Sequence, residues 1–448
     1  MPMATVLKHL GPKRRVLPIA TLVLAFMACS APVLAEAQPQ GAEVIVLYRI
    51  TQGDNLYTLA ERYLAKPEDY RVVQRLNRVA YPRRVPVGLA LRIPRRLLKQ
   101  EPVRAVVQSY RGMVKIGARP ASVGMLVSEG DLIETGQKSF ITLMLPDDTV
   151  VSLPSHSAIR VRRLRRTVLG HHLERLFAIE YGRANATVTP MTDPLSDFRF
   201  STPAALTSVR GTKFRMSYDP AAARAAGEVL EGKVAFTAPL SDEQLLATGF
   251  GTTNGLAAPV PLLAPPDLLD ADRAQSDEDL HFVIKPAAGA VRYHVQIGRD
   301  AGFLEVLDEV TTAIPEARLA SLPNGSYFVR LTAIDVNELE GQPATYAFER
   351  RLNRISTSLE QSRAGRYRQY LFRWRAPDAL GARYRFQLWA AEGEVPMVDE
   401  IGLTGMSFIV TDLPKGQYRW RVMTSESVGA KLFHKWTDYR ELRVENAR

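Results

Sequence analysis

One cysteine in 448 residues leaves no room for an intramolecular disulfide. That residue, Cys29, lies in an N-terminal segment with the marks of an export signal. A chain trimmed there has no thiol for a bridge or for nucleophilic catalysis. Beyond that segment the histidines are scattered: His156, His171, His172, His281, His294 and His434. The adjacent pair in "HHLE" (171–174) has no third ligand at a zinc-site spacing. There is no nucleophile elbow and no phosphate loop. Beyond residue 35 no apolar run is long enough to cross a bilayer. These absences argue against thiol and zinc-peptidase chemistry and call for no metal and no cofactor. A glycosidase needs only two carboxylates, so that class stays open.

What is present begins with the leader. Lys8, Lys13, Arg14 and Arg15 precede the apolar run "VLPIATLVLAFMA" (16–28), and "VLA" (33–35) offers small residues for cleavage before Glu36. Residues 1–35 are therefore expected to be a signal peptide and the mature chain periplasmic. Two alternatives stand beside this. "FMAC" (26–29) is a lipoprotein box with Phe26 in place of leucine, and 16–35 is just long enough to remain as a membrane anchor. Cleavage removes four cations and no acids, taking the formal charge from +11 to +7. In an exported protein that excess points to anionic glycans or lipid surfaces before nucleic acid. The length implies roughly three or four domains.

In "YRITQGDNLYTLAERYLAK" (48–66) a short strand turns through Gly53 into a helix whose Leu56, Leu59, Ala60 and Tyr63 form one apolar stripe. Asp54 or Asn55 can supply the N-cap. "PEDYRVVQRLNR" (67–78) is a second helix, with Pro67 at its first position and Tyr70, Val73, Leu76 and Asn77 inward. "YPRRVPVGLALRIP" (81–94) is a turn and a strand. Strand, helix, helix, strand over 42–95, with Tyr48, Ile50, the Gly53-Asp54-Asn55-Leu56 corner, Leu76, Asn77, Gly88, Leu91, Ile93 and Pro94, resembles a LysM module. Asn55 stands where Ser or Thr is commoner, and "AYPRRVP" enlarges the helix-to-strand loop. The resemblance implies binding of N-acetylglucosamine glycans, chiefly peptidoglycan, through Gly53, Asp54, Asn55 and Leu56 and through Asn77, Arg78 and Val79.

From 101 the period changes to two. "KSFITLMLPDDTVVSLP" (138–154) is a hairpin, and in "KFRMSYD" (213–219) Phe214, Met216 and Tyr218 alternate with Lys213, Arg215 and Ser217, one face buried and one wet. Gly130-Asp131, Gly182-Arg183, Thr202-Pro203, Val209-Arg210-Gly211-Thr212-Lys213-Phe214 and Leu230-Glu231-Gly232-Lys233-Val234 together resemble a FecR domain, all-β, over 101–250. Named members of that family sense outer-membrane transport signals, and they carry a cytoplasmic helical domain ahead of one membrane span. Here residues 1–15 precede the apolar segment, so that role is not expected to transfer whole. Arg210, with Lys213, is a candidate anion or partner contact, or else a structural ion pair. Arg160, Arg162, Arg163, Arg165 and Arg166 are expected on a solvated strand edge that discourages aggregation, with contact to an anionic surface as the alternative.

Residues 251–279, Pro-rich then acidic, read as a linker. Two repeats come after it, 280–352 and 360–446, about ninety residues apart. "SLPNGSYFVRLTA" (321–333) aligns with "DLPKGQYRWRVMT" (412–424), matching Leu322 to Leu413, Gly325 to Gly416 and Tyr327 to Tyr418. The copies resemble fibronectin type III-like sandwiches, with each tyrosine packed at its corner and its hydroxyl tied to backbone. Trp389 and Trp420 fall in alternating strands and are expected in the core.

The fold expected is multidomain and mainly β: a small βααβ LysM module, an all-β FecR domain and two β-sandwich-like domains. The function expected is that of a non-catalytic envelope protein. It would bind peptidoglycan through the first module and an unknown envelope protein or glycan through the second. A signal-sensing component of FecR type is the alternative, and a cell-wall hydrolase the third.

Overall fold

The computed structural model describes residues 43–379 and 381–445. The expected signal peptide, Cys29 and the cleavage point at Glu36 lie outside them. Among the described residues no helix is long and apolar enough to cross a membrane.

The chain enters as β1 (Ile45–Arg49), α1 (Leu56–Tyr63), a single 3-10 turn at Pro67–Asp69, α2 (Tyr70–Leu76) and β2 (Ala90–Pro94). β1 and β2 pair antiparallel with Tyr48 opposite Leu91. Leu56, Leu59 and Ala60 of α1 pack with Val73, Leu91 and Ile93 into one small core. Of the two cap candidates, Asn55 fills the role. Its side chain accepts from the N–H groups of Tyr57 and Thr58, and the Thr58 hydroxyl accepts from the Asn55 N–H, a reciprocal capping box. Arg95 then ties this unit to the neighbouring barrel, donating to the Leu195 carbonyl at 2.9 Å.

Strands from Gln100 to Pro261 hydrogen-bond into one closed barrel. Its spine is the long hairpin Ser157–Thr167 and Leu173–Thr187. The second of these strands serves two sheets. Its first half pairs with Ser157–Thr167 and, in parallel, with Asp197–Thr202. Its second half pairs with Lys213–Asp219. The bend between them falls at Gly182, at φ +80°, where a Cβ would stand 2.2 Å from the His156 carbonyl oxygen. Phe177, Phe198, Phe200 and Phe214 fill the interior, with ring centroids 5.2–6.2 Å apart.

Several expectations need correction. The stretch 251–279 is not a free linker. Phe250–Thr253 and Val260–Pro261 close the barrel, while Leu268–Leu269 pairs with Leu280–Ile284 of the first sandwich. Proline and acidic residues misled because short edge strands tolerate both. The first sandwich accordingly begins near Leu268, not at 280, and the second begins at Ser356, not at 360. The arginine-rich strand Ser157–Thr167 is no edge: it has partners on both sides. Four of its five arginines, Arg160, Arg163, Arg165 and Arg166, pair instead with glutamates. And in Lys213–Asp219 the outward Arg215 is buried, because the first sandwich covers it.

Each sandwich sets a three-stranded sheet against a larger one, of four strands in the first and five in the second. The repeated corner behaves as expected. Tyr327 donates its hydroxyl to the Pro323 carbonyl at 3.1 Å, and Tyr418 to that of Pro414 at 2.7 Å. Trp374 and Trp420 are core residues. Trp389 is buried in a different way, on the outer face of its sheet. There the Arg421 guanidinium lies 4.0 Å from the Trp436 ring centroid and 5.1 Å from that of Trp389.

Gly211 sits at φ +117°, and a Cβ there would stand 2.6 Å from the Pro190 Cα. Both the dihedral and the close backbone approach require glycine. Gly211→Val in the full chain is expected to cost on the order of 1–3 kcal/mol through strain, read as a lower midpoint in thermal unfolding. An unchanged midpoint would refute the backbone argument.

Candidate functional site

The corner between β1 and α1 is built around Gly53, at φ +90° and open to solvent on its Cβ side. Asp54 does not cap the helix. Its carboxylate accepts from the Tyr48 hydroxyl at 2.8 Å, the Thr51 N–H at 2.8 Å and the Thr51 hydroxyl at 2.7 Å, locking the turn from beneath. Burial would raise its carboxyl, but these three donors together outweigh it and hold the acidity below the ordinary carboxylate range.

The first-turn donors of α1 are spent internally. The Asn55 N–H goes to Thr58, and those of Tyr57 and Thr58 go to Asn55. The Leu56 N–H donates to the Pro82 carbonyl at 2.9 Å. Pro82 lies in the enlarged loop, so this loop closes onto the corner and occupies a donor that a ligand would otherwise use.

The second expected set, Asn77, Arg78 and Val79, is similarly committed. Asn77 bridges α2 to β2: its amide donates to the carbonyls of Val73 (2.7 Å) and Arg92 (2.8 Å) and accepts from the Arg92 N–H (2.7 Å). Val79 exchanges hydrogen bonds with Gln74. Arg78 turns the chain at φ 52°. Among the described residues no hydrogen bond joins the two sets.

The barrel candidates are modest. Arg210 donates to the Pro194 carbonyl, a structural contact without a carboxylate partner. Lys213 faces Glu231 across the ladder at 3.9 Å, with both side chains exposed. In the basic run, Arg160 pairs with Glu180 at 2.7 Å, Arg163 and Arg165 with Glu174 at 2.5 and 3.0 Å, and Arg166 with Glu101 at 3.0 Å. Among the described residues of this run, Arg162 alone is left exposed without an ion pair. The run is largely neutralised where it stands, which weakens it as an anionic-surface contact.

The residues that sequence reasoning missed lie where the barrel meets the first sandwich. Arg215 sits between Glu228 of the barrel (3.3 Å) and Glu340 of the sandwich (3.3 Å), and donates to the Gly341 carbonyl at 2.7 Å. Arg183 pairs with the same Glu340. His294 lies between Glu340 at 3.1 Å and Glu309 at 3.0 Å. Glu309 in turn accepts from the Ser155 N–H at 3.1 Å, back on the barrel. Burial draws Arg215 down to about 10 and pushes Glu228 up, each opposed by the other's charge. A cavity of about 310 Å³ opens beside the cluster, lined in part by Arg183, Arg224, Arg292, His294 and Glu309. One signal was available in advance. Arg215 and Glu228 face each other in adjacent strands of a hairpin, opposite charges on the side taken as wet. Among the described residues no three His, Cys, Asp or Glu side chains are placed to hold a metal ion.

Residues 131–235, which lie within the barrel, match the family described as FecR protein. No curated protein matches the chain. Among solved structures, a candidate anti-sigma factor from Parabacteroides distasonis is similar at 24% identity over 29% of this chain, with a TM-score of 0.24. The chain spans 57% of that protein's length. A two-domain fibronectin type III segment of chicken tenascin is similar at 14% identity over 41% of this chain and 99% of its own, TM-score 0.23. The FN1–FN3 domains of chicken CNTN1 are similar at 12% identity over 73% of this chain and 98% of their own, TM-score 0.24. Likenesses this remote bear no argument about function.

Glu309 provides a pH test of the junction. Burial alone would raise its carboxyl, but hydrogen bonds from His294, Gln296 and Ser155 bring it from 4.5 to about 2. A carboxyl depressed in the folded state stabilises above its ordinary value and loses that contribution as pH falls through the folded value. Thermal midpoints measured from pH 7 to pH 2 should therefore fall below about pH 4.5. Glu309→Gln should be less stable at pH 7 and show a flatter acid limb. Parallel curves for the two proteins would contradict this assignment.

Proposed function

We propose that the protein is a non-catalytic component of a bacterial cell envelope, exported to the periplasm, in which a FecR domain and a sandwich form one rigid partner-binding body and the βααβ unit tethers that body to wall glycan. The observation that carries it is the pairing of a FecR match over 131–235 with the buried Arg215–Glu228–Glu340 cluster. A domain of envelope proteins is here fixed to its neighbour by charges that cannot be separated cheaply. The tether is supported by the strand-helix-helix-strand order of 42–95 and its Gly53-Asp54-Asn55-Leu56 corner.

The same junction favours one second reading, a sensing component of FecR type. A rigid joint would carry a displacement of the FecR domain into the sandwiches, with a further protein completing the relay.

The tether is tested by sedimentation of the full chain with insoluble peptidoglycan. A single small module is expected to give a dissociation constant of about 10 µM to 1 mM. Because Asp54 locks the corner, Asp54→Ala should lower both binding and thermal midpoint. Absence of sedimentation at the upper end of that range would sink the tether and leave the sensing role.

A further inference from the structure

The enlarged loop that closes the corner also builds a second surface. Pro82 takes the Leu56 N–H, and the next residue, Arg83, lies with its guanidinium 5.8 Å from the centroid of the Tyr57 ring. Tyr57 packs against Tyr70 with centroids 4.6 Å apart, and Arg71 lies 5.9 Å from the Tyr70 centroid. Three separate elements, the start of α1, the start of α2 and the loop, thus converge on two tyrosines and two guanidiniums. Tyr57 is 38% exposed despite these neighbours, and Tyr81 of the same loop is 74% exposed. Neither Arg71 nor Arg83 has an ion pair among the described residues, unlike the neutralised run on the barrel.

Charge is concentrated here too. Residues 43–99 carry twelve Lys and Arg against five Asp and Glu, whereas residues 100–448 carry forty-two against forty-one. Almost all the excess of the chain beyond residue 42 belongs to this small unit. A guanidinium without an ion pair beside an exposed aromatic ring suits a ligand with one apolar face and one anionic group. The C–H face of a pyranose packs on the ring, and the guanidinium takes a carboxylate through paired N–H donors.

We propose that the face formed by Tyr57, Tyr70, Arg71 and Arg83 binds a saccharide unit that carries a carboxylate. This rests on the tether reading and moves its contact away from the Gly53–Leu56 corner, whose helix-turn donors are already used. The carboxylate can be the lactyl group of a muramic acid or the acid of a uronate, and the test separates them.

The full chain is titrated calorimetrically with four probes: a tetrasaccharide of alternating N-acetylglucosamine and N-acetylmuramic acid, its carboxyl-methylated form, neutral chitotetraose, and tetragalacturonate. The expected result is that an acidic probe binds about tenfold or more tighter than the neutral ones, a difference of about 1.4 kcal/mol. Preference for the muramyl over the uronate probe identifies the first source, and the reverse the second. Arg83→Gln should erase the difference between acid and methyl ester, and Tyr57→Ala should weaken every saccharide bound, both with unchanged thermal midpoints. These positions are exposed, so the variants should fold, and Arg71→Gln repeats the charge test on a different element. Equal binding of acid and ester, or variants without effect, overturns the proposal. If the chain still sediments with peptidoglycan in that event, the tether survives and only the site is wrong. If nothing binds and nothing sediments, both fail.

Discussion

Arg215 is the residue on which the relation between barrel and first sandwich depends. It leaves its strand on the side opposite Phe214 and Met216, meets Glu228 on the neighbouring strand, and is closed over by Glu340 from the sandwich. Taking an ion out of water costs several kcal/mol, recovered only when partners stand in good geometry. The sandwich therefore cannot slide on the barrel without stranding a charge. Around this centre the contacts are neutral or half-exposed. The hydroxyls of Ser109 and Thr142 reach the Leu304 carbonyl, and Lys138 faces Asp308 at 3.4 Å. They shape the interface, while the buried cluster fixes its register.

The two sandwiches show how one local motif serves two surroundings. Both place a tyrosine hydroxyl on the proline carbonyl of a Leu-Pro-x-Gly-x-Tyr turn. In the first copy the edge strand Val306–Thr312 is partly covered by the barrel. In the second, the corresponding edge Val398–Leu403 is largely exposed. Its outer sheet face is instead sealed by Arg419 and Arg421 layered between Trp389, Trp436 and Tyr439. A sandwich core needs only the inward alternation and the corner. What covers the outside is decided by its neighbours.

The βααβ unit makes the same point on a smaller scale. Its core and turn follow from local rules: an apolar helical stripe, a capping asparagine and a glycine at positive φ. The loop insertion then redirects the surface. One proline carbonyl satisfies the corner's donor, and one arginine is laid across a tyrosine.

The mainly β fold, the two tyrosine corners and the inward face of Phe214, Met216 and Tyr218 were legible in the sequence. Each depends on residues close in the chain or on a period that secondary structure imposes. The pairing of the arginine-rich strand was not legible. Charges on a strand read the same whether the opposing glutamates lie across a ladder or water does; Glu174 and Glu180 oppose the arginines only once the hairpin has its register, and Glu101 and Glu129 come from distant segments. The fate of 251–279 was equally hidden, because short edge strands carry little periodic signal. So was Arg215. By period two it belongs outside, and it is outside the barrel's own core. Only the arrival of residues more than a hundred positions later, Glu340 and Gly341, makes that outside an interior, since burial belongs to the assembled surfaces and not to either segment alone.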